Sequence, residues 1–373
     1  MNDRNPHPGY IPTLNGWRAI AILMVLVAHG APVAARSLGL AESDVSGWST
    51  RAALGVDVFF GISGFLICSR LIQERQHTNS IDLRGFYIRR FFRILPPFVV
   101  VLVVLWLLTE GGLIRVRPAE WLGSLLFYRN YVASLPGGWY TGHFWSLAIE
   151  EHFYFLWPLI LYFRRPRIAL SIAFVGIVAI AVWRTFAYRV PALREPFGDV
   201  SFFARTDIRM DALLFGCAAA LLVARYRTLL ERHASAVWTI GIITLYVWCV
   251  AKAPPFSLSW QGLLIAAAIG STSIHPLGFV GAALEWMPLQ QIGKYSYSLY
   301  LWQQLFLPPQ SDIAFPWLQT MPLALVALTI CAVLSYHWVE QPFIRLGQRL
   351  AKAPRNLGPA SPATEPCLVE ASR

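Results

Sequence analysis

The sequence predicts an all-α membrane protein whose chain crosses the bilayer about ten times. Hydrophobic residues make up 56% of its 373 residues and only 14% are charged, whereas soluble domains carry about 25% charged residues. The apolar residues lie in runs, and a run of about 20 residues is long enough to cross the hydrocarbon core as a helix. Aromatic residues, among them 15 Trp, suit the two membrane interfaces, where amphipathic rings settle.

The predicted spans are ten apolar runs separated by polar stretches. Residues 1–346 are expected to form one transmembrane domain, because neither an internal repeat nor a soluble domain interrupts the runs. Residues 347–373 are polar and rich in Pro, Ala and Arg, which predicts a cytoplasmic tail that is disordered at its end. The runs cover approximately residues 17–35, 53–73, 92–109, 143–163, 168–187, 208–224, 235–251, 260–280, 293–308 and 317–337.

The basic residues predict the orientation of the chain in the membrane. Lys and Arg favour cytoplasmic loops, and a cytoplasmic N-terminus places most of the 31 Lys and Arg on that side. We therefore expect both termini in the cytoplasm, although residues 184–205 are basic on the outer side. The net charge is +11. The basic residues flank the apolar runs rather than forming one patch, so nucleic-acid binding is not expected.

The cysteines do not indicate a metal site or a disulfide framework. The five are scattered, and four of them lie in apolar segments. None has the spacing of metal ligands, so we expect small buried apolar side chains and no bound metal. They are Cys68, Cys217, Cys249, Cys331 and Cys367.

Ionisable residues inside spans are functional candidates, because each costs at least about 2.5–3.5 kcal/mol to insert. In the first span, Arg18 and His29 are eleven residues apart, about three turns, so both face one way roughly 16 Å apart. Arg18 is equally well interpreted as an interfacial anchor. For His29 a hydrogen bond to a neighbouring helix is the alternative that the sequence favours less. A buried histidine beside a carboxylate can also serve as a general base.

Two further segments carry polar residues at membrane depth. The second span, GVDVFFGISGFLI, contains Asp57 and Ser63. Its glycines suit close helix packing, which does not explain the aspartate unless it lies at the outer interface. At the entry to the third span, Arg90 and Arg93 are neighbours on one helix face. Paired guanidiniums suit phosphate oxygens, and positive-inside anchoring explains them equally well.

The fourth span carries the strongest polar signal. Ser146, Glu150 and Tyr154 follow each other at intervals of four residues and form one stripe on an apolar helix. Glu150 would lie roughly 10 Å below the outer surface, a depth that His29 can reach. Because Glu150 and Glu151 cannot both face lipid, we expect at least one to have a histidine or arginine partner. Residues 207–211, which include Asp211, form a weaker cluster that indicates a local ion pair.

Seven segments of the chain match the motifs of a known protein family and occur in the same order as in that family. They are LNGWRAIAILMVLVAH, GVDVFFGISGFLI, FYIRRFFRILPPF, WSLAIEEHFYFLWP, RMDALLFG, GKYSYSLYLW and VEQPF. With them, residues 12–346 resemble acyltransferase family 3, the integral membrane acyltransferases that O-acylate bacterial surface polysaccharides and some secondary metabolites. The resemblance implies a bacterial inner-membrane location and ten spans around a central channel. It also implies an acyl-CoA donor on the cytoplasmic side and an acceptor on the outer side.

The resemblance also implies roles for particular residues. The Arg–ten residues–His signature of the family falls on Arg18 and His29, which makes His29 resemble the catalytic histidine. The paired-arginine motif of the family falls on two residues of the third span, and its Ser–Glu–Phe–Tyr motif on four residues of the fourth. These residues are Arg90, Arg93, Ser146, Glu150, Phe153 and Tyr154. One departure is Gln303, which stands where many members of the family carry a histidine.

The sequence thus predicts an acyltransferase that moves an acyl group, most commonly acetyl in such proteins, from acyl-CoA to a hydroxyl group. The acceptor is expected to be a sugar of a cell-surface polysaccharide, a lipid-linked sugar or another metabolite, and no bound cofactor is expected. His29 would be the general base or carry the acyl group, and Glu150 would orient it. The other predicted substrate-binding residues are Arg18, Arg90, Arg93, Ser63, Ser146, Tyr154, Asp57 and Asp211.

Other functions remain open from the sequence. An intramembrane His–Glu pair also suits the proton relay of a transporter, and an acyl-group translocator would release CoA only beside a second transferase. A non-catalytic scaffold does not explain the buried charges. Some polysaccharide-modifying members carry a fused hydrolase-like extracytoplasmic domain. The predicted transmembrane domain and tail are not expected to include one, so we expect this chain to act alone or with a separate extracytoplasmic partner protein.

Overall fold

The protein is helical in the computed structural model, which describes residues 11–45, 47, 54–133, 138–194, 201–233, 235–252, 256–274 and 278–352. The main helices are α1 (Pro12–Ser37), α2 (Gly55–Thr78), α3 (Leu83–Glu110), α4 (Pro118–Leu125), α5 (Phe144–Phe163), α6 (Pro166–Arg189), α7 (Asp211–His233), α8 (Ala236–Lys252), α9 (Ser257–Ile274), α10 (Gly278–Leu284), α11 (Met287–Phe306), α12 (Leu323–Ser335) and α13 (Gln341–Lys352). Short helical turns occupy Glu42–Val45, Arg129–Tyr131, Trp139–Gly142, Pro191–Arg194, Phe202–Ala204, Thr206–Arg209 and Gln310–Asp312, and a π-helical turn occupies Tyr336–Glu340.

Local sequence sets several of the helix ends. Helices α1 and α6 each begin at a proline, whose fixed φ suits the first helical position and whose missing N–H is not needed there. The side chain of Asp82 caps α3 by accepting a hydrogen bond from the Gly85 amide at 3.0 Å. Helix α2 ends at Thr78 and is capped by Asn79, which has a φ of 56°, a left-handed conformation that closes many helices.

Six helices among the described residues are long and apolar enough to cross a membrane, or seven if the bent pair α9 and α10 forms one span. The six are α1, α2, α3, α6, α7 and the continuous helical segment Leu323–Lys352. The chain is therefore a polytopic membrane protein with an all-helical fold. Six of the predicted runs coincide with these helices, and residues 260–280 overlap the bent pair.

The other three predicted runs also lie on helices, but their composition is less apolar or their length is shorter. Helix α8 has 17 residues. Helices α5 and α11 have 20 residues each, yet α5 carries Glu150 and Glu151 and α11 carries Lys294. Polar residues therefore distinguish α5 and α11 from the six long apolar helices.

Helix α2 occupies the centre of the bundle, and 72% of the residues in its apolar stretch are buried. It packs against α7, α1 and α9. A Cβ on Gly64 would lie 2.0 Å from the Leu213 carbonyl oxygen of α7, and one on Gly55 would lie 2.6 Å from the Ala21 oxygen of α1. The prediction that the glycines of this span permit close helix approach is confirmed.

The bundle has two ends that differ in charge. The first, which we call the basic end, is where α1 begins, α2 ends, α3 begins and α13 ends; the opposite end is where α5 begins and α11 ends. Helix α13 continues past the predicted domain boundary at residue 346 as far as Lys352. The remainder of the predicted tail, residues 353–373, lies outside the described residues, as does Cys367. The four described cysteines are free thiols.

Candidate active site

A cavity of about 210 Å³ opens at the basic end, between α1, α2, α3, α5, α11 and α13. It gathers seven of the ten predicted site residues, although they come from four separate helices. The seven are Arg18, Ser63, Arg90, Arg93, Ser146, Glu150 and Tyr154. The polar stripe of the fourth predicted span therefore faces the arginines at the mouth across one shared space.

The mouth of this cavity is more basic than the sequence motifs alone indicate. Arg70 of α2 and Arg89 of α3 line it together with Arg18, Arg90 and Arg93. Arg89 has a carboxylate neighbour, because its guanidinium lies 4.0 Å from the carboxylate of Glu74. Five guanidiniums at one opening form a site suited to an anion with several phosphate groups.

A buried carboxylate that sequence analysis missed lies beside these arginines. Glu340 is 2% exposed, ends the π-helical turn and accepts a hydrogen bond from the Ser298 hydroxyl at 3.0 Å. Its charge acts on Arg93 and Arg18. The signal available in the sequence was the segment VEQPF, where a single acidic residue follows a long apolar run. π-Helical turns are frequent at functional sites.

Glu150 lies on the wall of the cavity, tied to α2. The Ser63 hydroxyl donates to its Oε1 at 2.7 Å, and the charges of Arg90 and Arg18 act on the carboxylate. Arg90 in turn stacks over the Tyr154 ring, with its guanidinium carbon 4.1 Å from the ring centroid. A histidine or arginine is the expected partner of one of the paired glutamates, whereas the hydrogen-bond donor to Glu150 in the structure is a serine hydroxyl.

The inner wall of the cavity is formed by a hydrogen-bond network between α5 and α11. The hydroxyls of Ser146 and Tyr300 lie 2.6 Å apart, and the Tyr300 hydroxyl donates to the His143 carbonyl oxygen at 2.8 Å. The His143 ring is buried, and its Nδ1 lies 2.6 Å from the side-chain oxygen of Gln304. His143 is the first residue of the predicted run 143–163 but was not singled out, since the sequence does not reveal its partners on α11.

His29 lies on α1 beyond this inner wall and does not line the basic-end cavity. Its Nδ1 donates to the side-chain oxygen of Gln303 at 2.5 Å, and Gln303 is fully buried. An amide oxygen only accepts, so this bond places the imidazole proton on Nδ1 and leaves Nε2 as the basic nitrogen. The Trp139 indole packs on the imidazole edge to face, with ring centroids 5.1 Å apart.

A family model described as an acyltransferase domain matches residues 11–336, the region that contains all of these side chains except Glu340. The chain belongs to acyltransferase family 3. The resemblance drawn from the seven segments is thereby confirmed.

Two curated relatives of this chain have names that refer to O-acetylation. The peptidoglycan O-acetyltransferase of Listeria monocytogenes is 30% identical over 91% of this chain and 56% of its own length. A Bacillus subtilis protein with the provisional name peptidoglycan O-acetyltransferase is 31% identical over 94% of this chain and 57% of its own length. The chain therefore spans just over half the length of these relatives. No solved structure matches the chain.

Gln303, the departure from the family pattern noted in the sequence, contacts His29 in the structure. The predicted orienting contact between Glu150 and His29 stays a prediction. In the structure Gln303 is the hydrogen-bond partner of His29, and Ser63 is the partner of Glu150.

Two other predicted site residues, Asp57 and Asp211, are engaged in ion pairs away from the basic-end cavity. Asp57 of α2 pairs with Arg209, and Asp211 accepts from Arg184 of α6 at 2.9 and 3.1 Å. A substrate-binding role for the two aspartates stays a prediction.

The expectation of a single local ion pair within residues 207–211 is wrong. Asp211 pairs with a helix distant in the sequence, Arg209 pairs with α2, and Asp207 pairs with Arg205 at 2.6 Å. Side chains two residues apart point to different sides of a helix, so each member of the cluster meets a different neighbour.

Proposed function

We propose that the protein is a membrane O-acetyltransferase that moves an acetyl group from acetyl-CoA to a hydroxyl group of a cell-wall glycan, of which peptidoglycan is the first candidate. Membership of acyltransferase family 3 and the names of the relatives support the reaction class. The observation that carries the proposal is the basic-end cavity, where arginines from three helices face the Ser146–Glu150–Tyr154 stripe.

We propose that ten helices or helix pairs cross the bilayer around a central channel, with both termini in the cytoplasm. Helices α5, α8 and α11 would be the other three spans, in addition to the six helices and one helix pair that are long and apolar enough to cross a membrane. The basic end would then face the cytoplasm, because Lys and Arg concentrate on that side. This is also the side on which acetyl-CoA is available, so the arginine cluster and the donor would share one compartment.

The arginines at the mouth would hold the phosphates of coenzyme A. A guanidinium presents parallel N–H donors that fit two phosphate oxygens at once, and such charge-assisted bonds are stronger than neutral ones. Glu340, buried against Ser298, would keep Arg18 and Arg93 in place without neutralising the cluster. The pantetheine arm would extend between α2 and α5 towards the inner wall formed by Ser146 and Tyr300.

His29 would perform the proton transfer. Its Nε2 would remove the proton from the acceptor hydroxyl while that oxygen bonds to the thioester carbonyl carbon. The tetrahedral intermediate would collapse by breaking the C–S bond, and the imidazolium would return the proton to the departing CoA thiolate. Gln303 would hold the ring in the required tautomer throughout, as the third member of a triad does. If Nε2 itself attacked the carbonyl carbon, the same geometry would give an acetyl-histidine intermediate.

The test uses the full chain, purified and reconstituted in lipid nanodiscs, with radiolabelled acetyl-CoA and an oligosaccharide of N-acetylglucosamine units. Acetyl transfer to the oligosaccharide with stoichiometric release of CoA supports the proposal. Proton-coupled flux across a vesicle without consumption of acetyl-CoA would instead show a transporter. CoA release only after addition of a second transferase would show an acyl-group translocator.

A cellular measurement complements this assay. Mass spectrometry of the cell-wall glycan, with and without the protein, should differ by one acetyl increment per modified sugar. Cells producing the His29→Ala variant at normal abundance should resemble cells that lack the protein.

A further inference from the structure

The basic-end cavity and a second cavity lie on either side of one turn of α11. The second cavity has a volume of about 810 Å³ and lies at the opposite end of the bundle. Its walls include Arg129, Trp139, Arg209 and Gln304. Tyr300, four residues before Gln304 on α11, lines the basic-end cavity instead. The turn between these two residues, with the side chains packed against it, therefore lies between the cavities.

The end of α11 takes hydrogen-bond donors from outside the helix. The last four carbonyl groups of an α-helix have no partner within it, and α11 ends at Phe306. The Trp139 indole N–H donates to the Gln304 carbonyl oxygen at 2.8 Å. The Gln319 side-chain amide donates to the Leu305 carbonyl oxygen, also at 2.8 Å. Side chains from other segments thus fix the position of this helix end.

His143 holds the same turn through three contacts. Its backbone amide donates to the side-chain oxygen of Gln304 at 3.1 Å, and its Nδ1 lies 2.6 Å from that same oxygen. Its Nε2 lies 3.1 Å from the Leu301 carbonyl oxygen. A backbone N–H can only donate, so the Gln304 atom that it meets is the amide oxygen, and Nδ1 must donate to it as well. His143 is 3% exposed, so water does not compete for these bonds.

The turn held by His143 also carries the contacts of His29. Gln303 accepts from the His29 Nδ1, and the Trp139 indole packs edge to face on the imidazole. Gln303 and Gln304 are consecutive, so a displacement of Gln304 also moves Gln303. The Trp139 ring is fixed by the bond that it donates to Gln304. Both of these contacts of the imidazole therefore depend on the position of Gln304.

The contacts of His143 hold positions rather than carry a proton between the cavities. The Tyr300 hydroxyl donates to the main-chain carbonyl oxygen of His143 at 2.8 Å. A carbonyl oxygen accepts a hydrogen bond but has no proton to pass on. The side-chain oxygen of Gln304, on the other side of His143, is of the same kind. The geometry therefore suits a positioning role and not a proton relay.

We propose that His143 is a positioning residue that acts on His29 through Gln304. By holding Gln304 it keeps Gln303 and Trp139 in contact with the His29 imidazole. The bond to Gln303 then keeps the imidazole proton on Nδ1 and leaves Nε2 as the basic nitrogen. The kinetic consequence of this inference rests on the proposed O-acetyltransferase function. The tautomer of His29 does not, and it can be measured without a substrate.

The kinetic test compares His143→Leu and His143→Asn in nanodiscs with acetyl-CoA and the N-acetylglucosamine oligosaccharide. Leucine removes the side-chain hydrogen bonds, whereas the asparagine Nδ2 replaces the Nδ1–H donor to Gln304. His143→Leu should lower kcat about tenfold, the effect of losing one hydrogen bond, with both KM values within about twofold. His143→Asn should recover kcat to within about threefold. The matched control is His77→Leu, an exposed histidine near the end of α2.

Nitrogen-15 NMR of histidine-labelled protein provides a readout that needs no activity. The shifts of the two ring nitrogens distinguish the tautomers of a neutral imidazole, and the His29→Ala variant identifies the signals of His29. The unsubstituted protein and His143→Asn should have the His29 proton on Nδ1, whereas His143→Leu should show both tautomers. Gln304→Leu removes the same bond from the other partner and should give the same mixture, which keeps the test valid if one leucine variant does not fold.

An unchanged Nδ1–H signal of His29 in the leucine variants would overturn the inference, whether or not the protein transfers acetyl groups. Equal losses of kcat in His143→Leu and His143→Asn would also overturn it, because the donor to Gln304 would then not be the group that matters. If the tautomer changed as expected but the unsubstituted protein transferred no acetyl group, the positioning role would stand and the proposed function would be contradicted.

Discussion

The two cavities of this protein use arginine in different ways. At the opposite end, Arg209 and Arg129 are each paired with a buried carboxylate. At the basic end, within the part of the chain that the structure describes, Arg18, Arg70, Arg90 and Arg93 form no direct ion pair. A paired arginine holds helices together, whereas an unpaired cluster attracts an anion. The same residue type therefore supports the fold in one region and leaves an uncompensated positive charge at a cavity mouth in the other.

The largest expected effect lies between the two cavities, at His29. His29→Ala should lower kcat for acetyl transfer by about 10²–10⁴-fold, the usual contribution of a positioned general base. The KM values for acetyl-CoA and oligosaccharide should both stay nearly constant, because His29 is proposed to act in the reaction step rather than in binding either substrate. Steady-state kinetics at matched protein abundance check this, and a wild-type kcat would remove His29 from the mechanism.

Breaking a paired arginine should reduce stability. Asp57→Ala leaves the buried Arg209 guanidinium without its carboxylate, so we expect a loss of about 3–5 kcal/mol in the free energy of unfolding. Denaturant unfolding in detergent measures it. Asp44→Ala, at an exposed position in the turn after α1, should change stability by less than about 0.5 kcal/mol. Equal stability of the two variants would show that the Asp57 pair is not structural.

Changing an unpaired arginine should weaken donor binding with little effect on stability. Arg93→Gln removes a charge-assisted bond to a phosphate, and its loss of about 1.5–3 kcal/mol predicts a roughly 10–100-fold rise in the KM for acetyl-CoA. The acceptor KM should not change. Arg84→Gln, an exposed arginine on the same helix outside the cavity, is the control.

A truncated donor sharpens this experiment. Acetylpantetheine lacks the nucleotide and its phosphates, so Arg93→Gln and the unsubstituted protein should use it with nearly equal kcat/KM. A difference as large as that seen with acetyl-CoA would mean that Arg93 acts on the reacting group rather than on phosphate.

The smallest effect concerns the residue that holds His29. Gln303→Leu keeps the side-chain size but removes the acceptor for the imidazole Nδ1–H, so kcat should fall about tenfold, equivalent to about 1.4 kcal/mol. Neither KM should change. Gln291→Leu, an exposed glutamine on the same helix, should behave like the unsubstituted protein. If the two glutamine variants were equally active, Gln303 would have no positioning role.

Features carried within one helix could be predicted from the sequence. The stripe of Ser146, Glu150 and Tyr154 follows from helical spacing alone, and the structure places all three on one cavity wall. The close approach of α2 to α7 and α1 also agrees with the glycines in its sequence. Both features depend on residues within one helix, which a sequence displays directly.

Features that depend on pairing between distant helices could not be predicted. His29 and Gln303 are 274 positions apart, and Asp57 and Arg209 are 152 apart. A sequence shows that a buried charge needs a partner, but many helices offer one, and only the packing of the bundle selects it. Glu340 was overlooked for the same reason, since its importance comes from arginines on other helices.

The π-helical turn Tyr336–Glu340 separates α12 from α13 within the last span. A π turn accommodates an extra residue compared with an α-helical turn and so shifts the direction in which the following side chains point. On one side of it, α12 presents Leu325, Val326 and Ile330 outward; on the other, Gly347 packs against Phe92 of α3. If the same residues of Tyr336–Glu340 were α-helical, α13 would be rotated by roughly 100° relative to α12. The geometry at the mouth of the basic-end cavity therefore depends on this turn being π-helical as well as on the identity of its residues.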